Sequence, residues 1–340
     1  MKKRSAAHSY RTPGIALLIA TCLGIAAPAR AQSPGCLSFP PVPYLVLEDI
    51  YTDSHFSIVN QQAEQENNAR IAAVDQFMHS IEQALDAPSG SAQAATAPCA
   101  YQNFRRWASA DALGGKQPTF NNEGIIKRGQ YLIGLDLLAI KFKVAGFAID
   151  KVILDWLHDL NDKNIDLWQH GTNRGNLYVW SGAAAALFAV LDRDPKALRY
   201  EDQVWHDAMA AIHDDGTITA ELARAHRALI YHMYSFSATL ILMQAREAMG
   251  EKLTQPDLAK IHRLATTIGQ TLCDPHRFEV LTNASQEIPG DWGYRVPLGF
   301  GENELTPDWL RCGMPKAAVV DIGFGGDTRR SAAALHRLAD

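Results

Sequence analysis

Arg227, Tyr231 and Tyr234 recur at i, i+4 and i+7 inside residues 219–249, a run that holds no Pro and no Gly. That run reads as one long helix or two abutting ones, and at about 100° per residue the three side chains share one stripe. His232 lies well round the helix from it. The remaining positions are mostly Ala, Leu, Ile, Met and Phe, so the stripe is too polar for plain core and too aromatic for a solvated face. A guanidinium beside a phenol favours phenolate and lowers a pKa that starts near ~10. It also clamps a carboxylate in a planar, two-pronged way. A base and an anion clamp are what is needed to remove a proton alpha to a carboxylate and expel the group beta to it. The competing structural reading pairs Arg227 with Glu221 or Asp215 and packs the tyrosines with their hydroxyls satisfied.

A second stretch is Asn173-Arg174-Gly175-Asn176-Leu177-Tyr178-Val179-Trp180, at the mouth of a helix over 177–191. Free backbone N–H groups at a helix N-terminus favour an anion. Asn173 and Asn176 would hydrogen-bond a ligand carboxylate there, or Asn176 would merely cap the helix. Asp214 or Asp215 with Glu221 would be the carboxylates of an inverting glycosidase, but Asp-Asp-Gly before a helix also serves as a plain turn. Trp107, Trp156, Trp168, Trp205 and Trp292 are core residues by default, with one or two lining a saccharide groove. No His-Glu-x-x-His or Cys-x-x-Cys occurs, so a metal has no sequence support. No other cofactor is indicated.

The elements that must position these groups are helical. Lys2, Lys3, Arg4 and Arg11 precede an apolar run at 14–27, and Ala29-Arg30-Ala31 forms a cleavage site, which predicts an export signal over 1–31. That run is too short to span a membrane, so the mature chain, 32–340, is expected to be a soluble, exported domain. Five of the 32 basic residues leave with the signal, so 27 face 37 acidic ones. Such a balance excludes a general nucleic-acid binder and asks any anionic substrate to meet a local basic cleft. Of five cysteines, Cys22 falls in the signal. The other four suggest two disulfides, with chain order favouring Cys36–Cys99 and Cys273–Cys312. Helices are expected over 63–85, 100–112, 123–144, 151–160, 177–191, from Asp194-Pro195, and over 257–272 and 331–338. Residues 86–98 read as a flexible connector and 274–325 as Gly-, Pro- and aromatic-rich irregular chain. Strand patterning is nearly absent, so the class is all-α, with paired helices joined by short turns suggesting a toroid or array.

Arg227-Ala228-Leu229-Ile230-Tyr231-His232-Met233-Tyr234 resembles the Arg-Ala-Leu-x-Tyr-His-x-Tyr signature of the alginate lyases of polysaccharide lyase family 5. Cys36 with its Pro-rich follow-on, Tyr51-Thr52-Asp53-Ser54, Cys99-Ala100, Trp107-Ala108 and Gly325-Gly326-Asp327 fall in that family's order. The resemblance implies a periplasmic, metal-free (α/α) toroid that cleaves mannuronate-containing chains by β-elimination. Arg227 would neutralise the substrate carboxylate, and Tyr234 would act at the C5 proton and the leaving O4. Tyr51, Trp107, Asn173, Tyr178, Tyr231 and His232 would line the substrate. The departure is at the family's Asn-Asn-His-x-Tyr-Trp. Here Asn176 or Leu177 stands opposite the His, depending on register, and Asn176 is expected to hold the carboxylate instead. Gly323 stands where the family has a basic residue. The implied partner is an anionic polysaccharide, mannuronate- or glucuronate-containing, met beside exopolysaccharide secretion machinery. A second reading is a non-catalytic periplasmic saccharide-binding or export protein that kept the groove.

Overall fold

The computed structural model describes residues 37–88, 90–116, 121–171, 174–312 and 319–339. Within the compact unit Leu37–Asp340, long helices follow one another in antiparallel pairs. They are α1 (Gln61–Leu85), α2 (Ser91–Ser109), α3 (Asn122–Val144), α4 (Lys151–Gln169), α5 (Asn176–Asp192) and α6 (Pro195–Ala211). After a single turn, α7 (Thr219–Leu222), come α8 (Ala228–Ala248) and α9 (Gln255–Cys273). The chain then shortens into α10 (His276–Thr282), α11 (Arg295–Phe300) and α12 (Pro307–Arg311). A two-residue hairpin, β1 (Val320–Asp321) against β2 (Gly326–Asp327), precedes α13 (Thr328–Ala339).

Local chemistry sets most of these starts. Asn60 accepts from the N–H groups of Gln62 and Ala63 to open α1, and Asn121 accepts from Gly124 N–H to open α3. Asp194 caps α6 with Pro195 at its first position, as the sequence predicts. The Ala-rich α5 is buried almost all round and packs against α8, α6, α3 and α4. It is the axis on which α8 is seated.

Three expectations change. The connector expected over 86–98 is largely helix: α2 starts at Ser91 and carries Pro98 inside it. The first helix after Lys151 runs on to Gln169. The long run 219–249 is broken, because Ala225 adopts a left-handed φ of 48° and residues 225–227 form a 3₁₀ turn. Arg227 therefore stands at the mouth of α8 and not within it. The Cys273–Cys312 disulfide ties the end of α9 to the end of α12, as expected. The expected Cys36–Cys99 pairing and the signal at 1–31 involve residues outside the described set. Among the described residues no helix is long and apolar enough to cross a membrane.

Candidate active site

The break before α8 is what aims Arg227. Its Nη1 donates to Tyr51 Oη at 3.2 Å, and Tyr51 Oη lies 3.1 Å from Tyr231 Oη. Tyr231 Oη is also 3.2 Å from the Phe56 carbonyl oxygen. Tyr51 is brought there by a tight loop: it bridges to Val59, while Asp53 accepts from the N–H groups of His55, Ser57 and Ile58. Arg227 Nε lies 3.2 Å from Glu287 Oε2. That is close enough for an ion pair but off the direction of a hydrogen bond, so among the described residues this buried N–H has no acceptor. Burial opposes the guanidinium charge, yet the Tyr51, Tyr234 and Glu287 oxygens outweigh it and hold the proton more firmly than usual.

Tyr234 follows two turns along α8. Its ring stacks on Trp292, with centroids 5.3 Å apart, and meets Tyr231 edge-on at 5.7 Å. Among the described residues its hydroxyl has no hydrogen-bond partner. Arg227, Tyr234, Trp292, His226, Glu287 and Glu64 line one cavity of about 740 Å³. A smaller one of about 120 Å³ continues past Tyr234 and Trp292 to Trp180, Asp321 and Phe324. Burial pushes the Tyr234 phenol up to about 12, and Arg227 only partly opposes this. The expected lowering below a free phenol is therefore reversed.

Four expected site residues lie elsewhere. Asn176 is buried: its N–H donates to Glu221 Oε1 at 2.6 Å and its Nδ2 to Oε2 at 3.3 Å. It anchors α5 to Glu221, which also accepts from Ser235 Oγ at 2.9 Å. That occupies the anion-favouring helix mouth with a protein carboxylate, and Asn176 lines neither cavity. Tyr178 is buried against α6, donating to Asp207 Oδ2 at 2.8 Å beneath the Arg174 guanidinium. His232 is wholly buried, with Nδ1 2.8 Å from the Ala228 carbonyl and Nε2 accepting from Ile218 N–H at 2.9 Å. Trp107 is core: it stacks on Phe77 and donates from Nε1 to the Phe39 carbonyl. Asn173 lies outside the described residues. The glycosidase pair is not assembled either, since Glu221 is committed to Asn176 and Asp215 pairs with Arg277 at 2.8 Å.

Sequence reasoning missed His226, Glu64 and Glu287. Only His226 carried a local signal, its adjacency to Arg227. The other two reach the cavity from α1 and from the loop before α11, joined to it by tertiary packing alone.

An all-α toroid whose groove presents an arginine beside an unpartnered tyrosine hydroxyl and a tryptophan face has the make-up of a polysaccharide lyase. The alginate lyase family profile matches residues 116–278. A polysaccharide lyase of Stenotrophomonas maltophilia is 25% identical over 245 residues, covering 69% of this chain and 72% of that one. An alginate lyase of Pseudomonas aeruginosa is 23% identical over 273 residues, covering 76% and 74%. Alginate lyase A1-III from Sphingomonas species A1 superposes with a TM-score of 0.70 at 17% identity, over 87% of this chain and 85% of that one. A Tyr-to-Phe variant of A1-III in complex with a tetrasaccharide gives 0.72 at 18% identity, over 90% and 88%. The profile match, these relatives and the shared fold together support an alginate lyase family member and indicate a polysaccharide lyase.

Proposed function

We propose that the protein cleaves a uronic-acid-containing polysaccharide, mannuronate- or glucuronate-bearing, by metal-independent β-elimination. The observation that carries the reading is the cavity that Arg227 and Tyr234 line together. A substrate carboxylate bound there meets the guanidinium. Once neutralised by the guanidinium, it stabilises the enolate that forms when the C5 proton leaves. Trp292 offers an apolar face for a sugar ring, and Tyr234, which keeps its proton at neutral pH, is suited to protonate the departing O4. By its leader, 1–31, the protein is exported to the periplasm, where it meets the polymer.

The test is a panel of mannuronan, guluronan, glucuronan and a branched exopolysaccharide, read by the ultraviolet band of an unsaturated uronate. Tyr234→Phe is expected to abolish turnover while leaving saccharide affinity nearly unchanged, because one hydroxyl is lost. Arg227→Ala is expected to damage both binding and rate. A wild type that binds a uronate polymer yet never yields an unsaturated end makes the protein a binding module.

A further inference from the structure

If Tyr234 keeps its proton for O4, the elimination needs a second group in the groove that accepts the C5 proton through an open lone pair. His226 has the geometry of that group. Its Nδ1 lies 2.6 Å from the Ser285 carbonyl oxygen, with Ser285 Oγ at 3.3 Å from the same nitrogen. A carbonyl oxygen only accepts, so Nδ1 carries the proton, and in the neutral ring Nε2 keeps the lone pair. The side chain is exposed and lines the cavity that also holds Arg227 and Tyr234.

The backbone that carries the ring is held on both sides of His226. Glu287 N–H donates to the His226 carbonyl at 2.9 Å. The Gln286 side chain accepts from Leu229 N–H at 3.2 Å and donates to the Ala225 carbonyl at 3.0 Å. A ring fixed through one nitrogen on a backbone carbonyl presents the other in a set direction, the usual orientation device for a histidine base. His232 cannot serve, because both its nitrogens are engaged in the core. The charged and titratable groups sharing the cavity with His226 are Glu64 of α1, Glu287 of the loop before α11, and Arg227 and Tyr234.

We propose that His226 is the catalytic base of this groove, accepting the C5 proton on Nε2 while Tyr234 protonates O4. The proposal rests on the lyase reading of the groove. The C5–H bond breaks and its proton passes to Nε2. The electron pair, held first as the enolate of the carboxylate on Arg227, becomes the C4–C5 double bond. The C4–O4 bond breaks with its pair on O4, which takes the Tyr234 proton. Imidazolium and phenolate remain, and transfer of one proton through water restores both.

The test uses the full protein on whichever uronate polymer of the panel the wild type cleaves. His226→Gln keeps an N–H donor for the Ser285 carbonyl but cannot titrate. It is expected to lower kcat by about 100-fold or more, with KM little changed, and to remove the acid limb of the kcat/KM profile. His226→Ala should regain rate in proportion to added imidazole. The proposal is overturned if His226→Gln keeps the wild-type kcat and acid limb while Tyr234→Phe is inactive, a result that leaves the lyase reading standing. It is equally overturned if the rate falls but the acid limb persists, or if imidazole restores nothing. Should no polymer give an unsaturated end with the wild type, the lyase reading and the proposal fall together.

Discussion

Tyr234 lies against Trp292 with ring centroids 5.3 Å apart and planes inclined at 28°. The indole removes water from one face of the phenol, while Arg227 exerts its field from the same cavity. Burial wins, and the phenol ionises only at about 12. The protonated form is thus present throughout the neutral range and is lost as the pH rises through about 12. The phenolate absorbance that separates wild type from Tyr234→Phe should emerge there. In Trp292→Ala, with water admitted, it should move down toward ~10. An unchanged midpoint in Trp292→Ala would remove the indole from the explanation.

Tyr51 joins the loop before α1 to the mouth of α8, accepting from Arg227 and lying within hydrogen-bond distance of Tyr231. Tyr51→Phe leaves the ring and deletes that link. A part-buried hydrogen bond is worth about 1 kcal/mol, so a KM rise of roughly 5-fold is expected, with kcat less affected. Steady-state kinetics on the cleaved polymer check the split.

Glu287 shares the Arg227 guanidinium with the incoming substrate carboxylate. It is 43% exposed, so the competing ion pair is weak. Glu287→Gln should lower KM by about 2-fold, consistent with a few tenths of a kcal/mol. A raised KM would show that Glu287 helps to hold Arg227 in place.

Asn176→His, which restores the family residue in one register, should cost stability and introduce no new pH limb. Its site is 3% exposed, and the amide is one of the groups that keep the wholly buried Glu221 hydrogen-bonded. Losing that partner and forcing in a larger ring is expected to cost about 1–3 kcal/mol. Denaturant unfolding of the variant measures it.

His232 is buried neutral, and burial lowers its pKa from 6.5 to about 4. The unfolded chain binds the proton first, so its contribution is fully present above pH 6.5 and is lost as the pH falls through about 4. The loss approaches about 3 kcal/mol, from 1.36 kcal/mol per pKa unit. Unfolding free energies at pH 7 and pH 4.5 should therefore differ less in His232→Asn than in wild type. An equal difference in both would exclude His232 as the source.

The Cys273–Cys312 bridge closes a separation of 39 residues. In the chain-entropy account a loop of that length stabilises by about 4 kcal/mol. Reductant, or Cys312→Ser, should lower the melting temperature while leaving kcat unchanged at temperatures where the protein stays folded. A fall in kcat without any shift in melting would contradict this.

The sequence by itself determined the helical class, most helix starts, the Cys273–Cys312 pairing and the Arg227/Tyr234 pair, because each rests on local pattern: period, cap, residue type and spacing. Asp194-Pro195 announces α6 without reference to anything distant, and the Ala-rich run of α5 announces its own burial. Side-chain direction was decided by tertiary structure. The left-handed Ala225 breaks the helix just before Arg227, whose guanidinium meets Tyr51, 176 residues earlier in the chain. Tyr178, His232 and Trp107 sit near motif positions but face inward, since each finds a buried partner that no spacing rule could name: Asp207, Ile218 and Phe77. Asn176 keeps its place at a helix mouth but meets Glu221, folded in from α7. The sign of the Tyr234 shift also belonged to the fold. Charge at short range can be read from neighbours in sequence, whereas desolvation depends on everything packed around the ring.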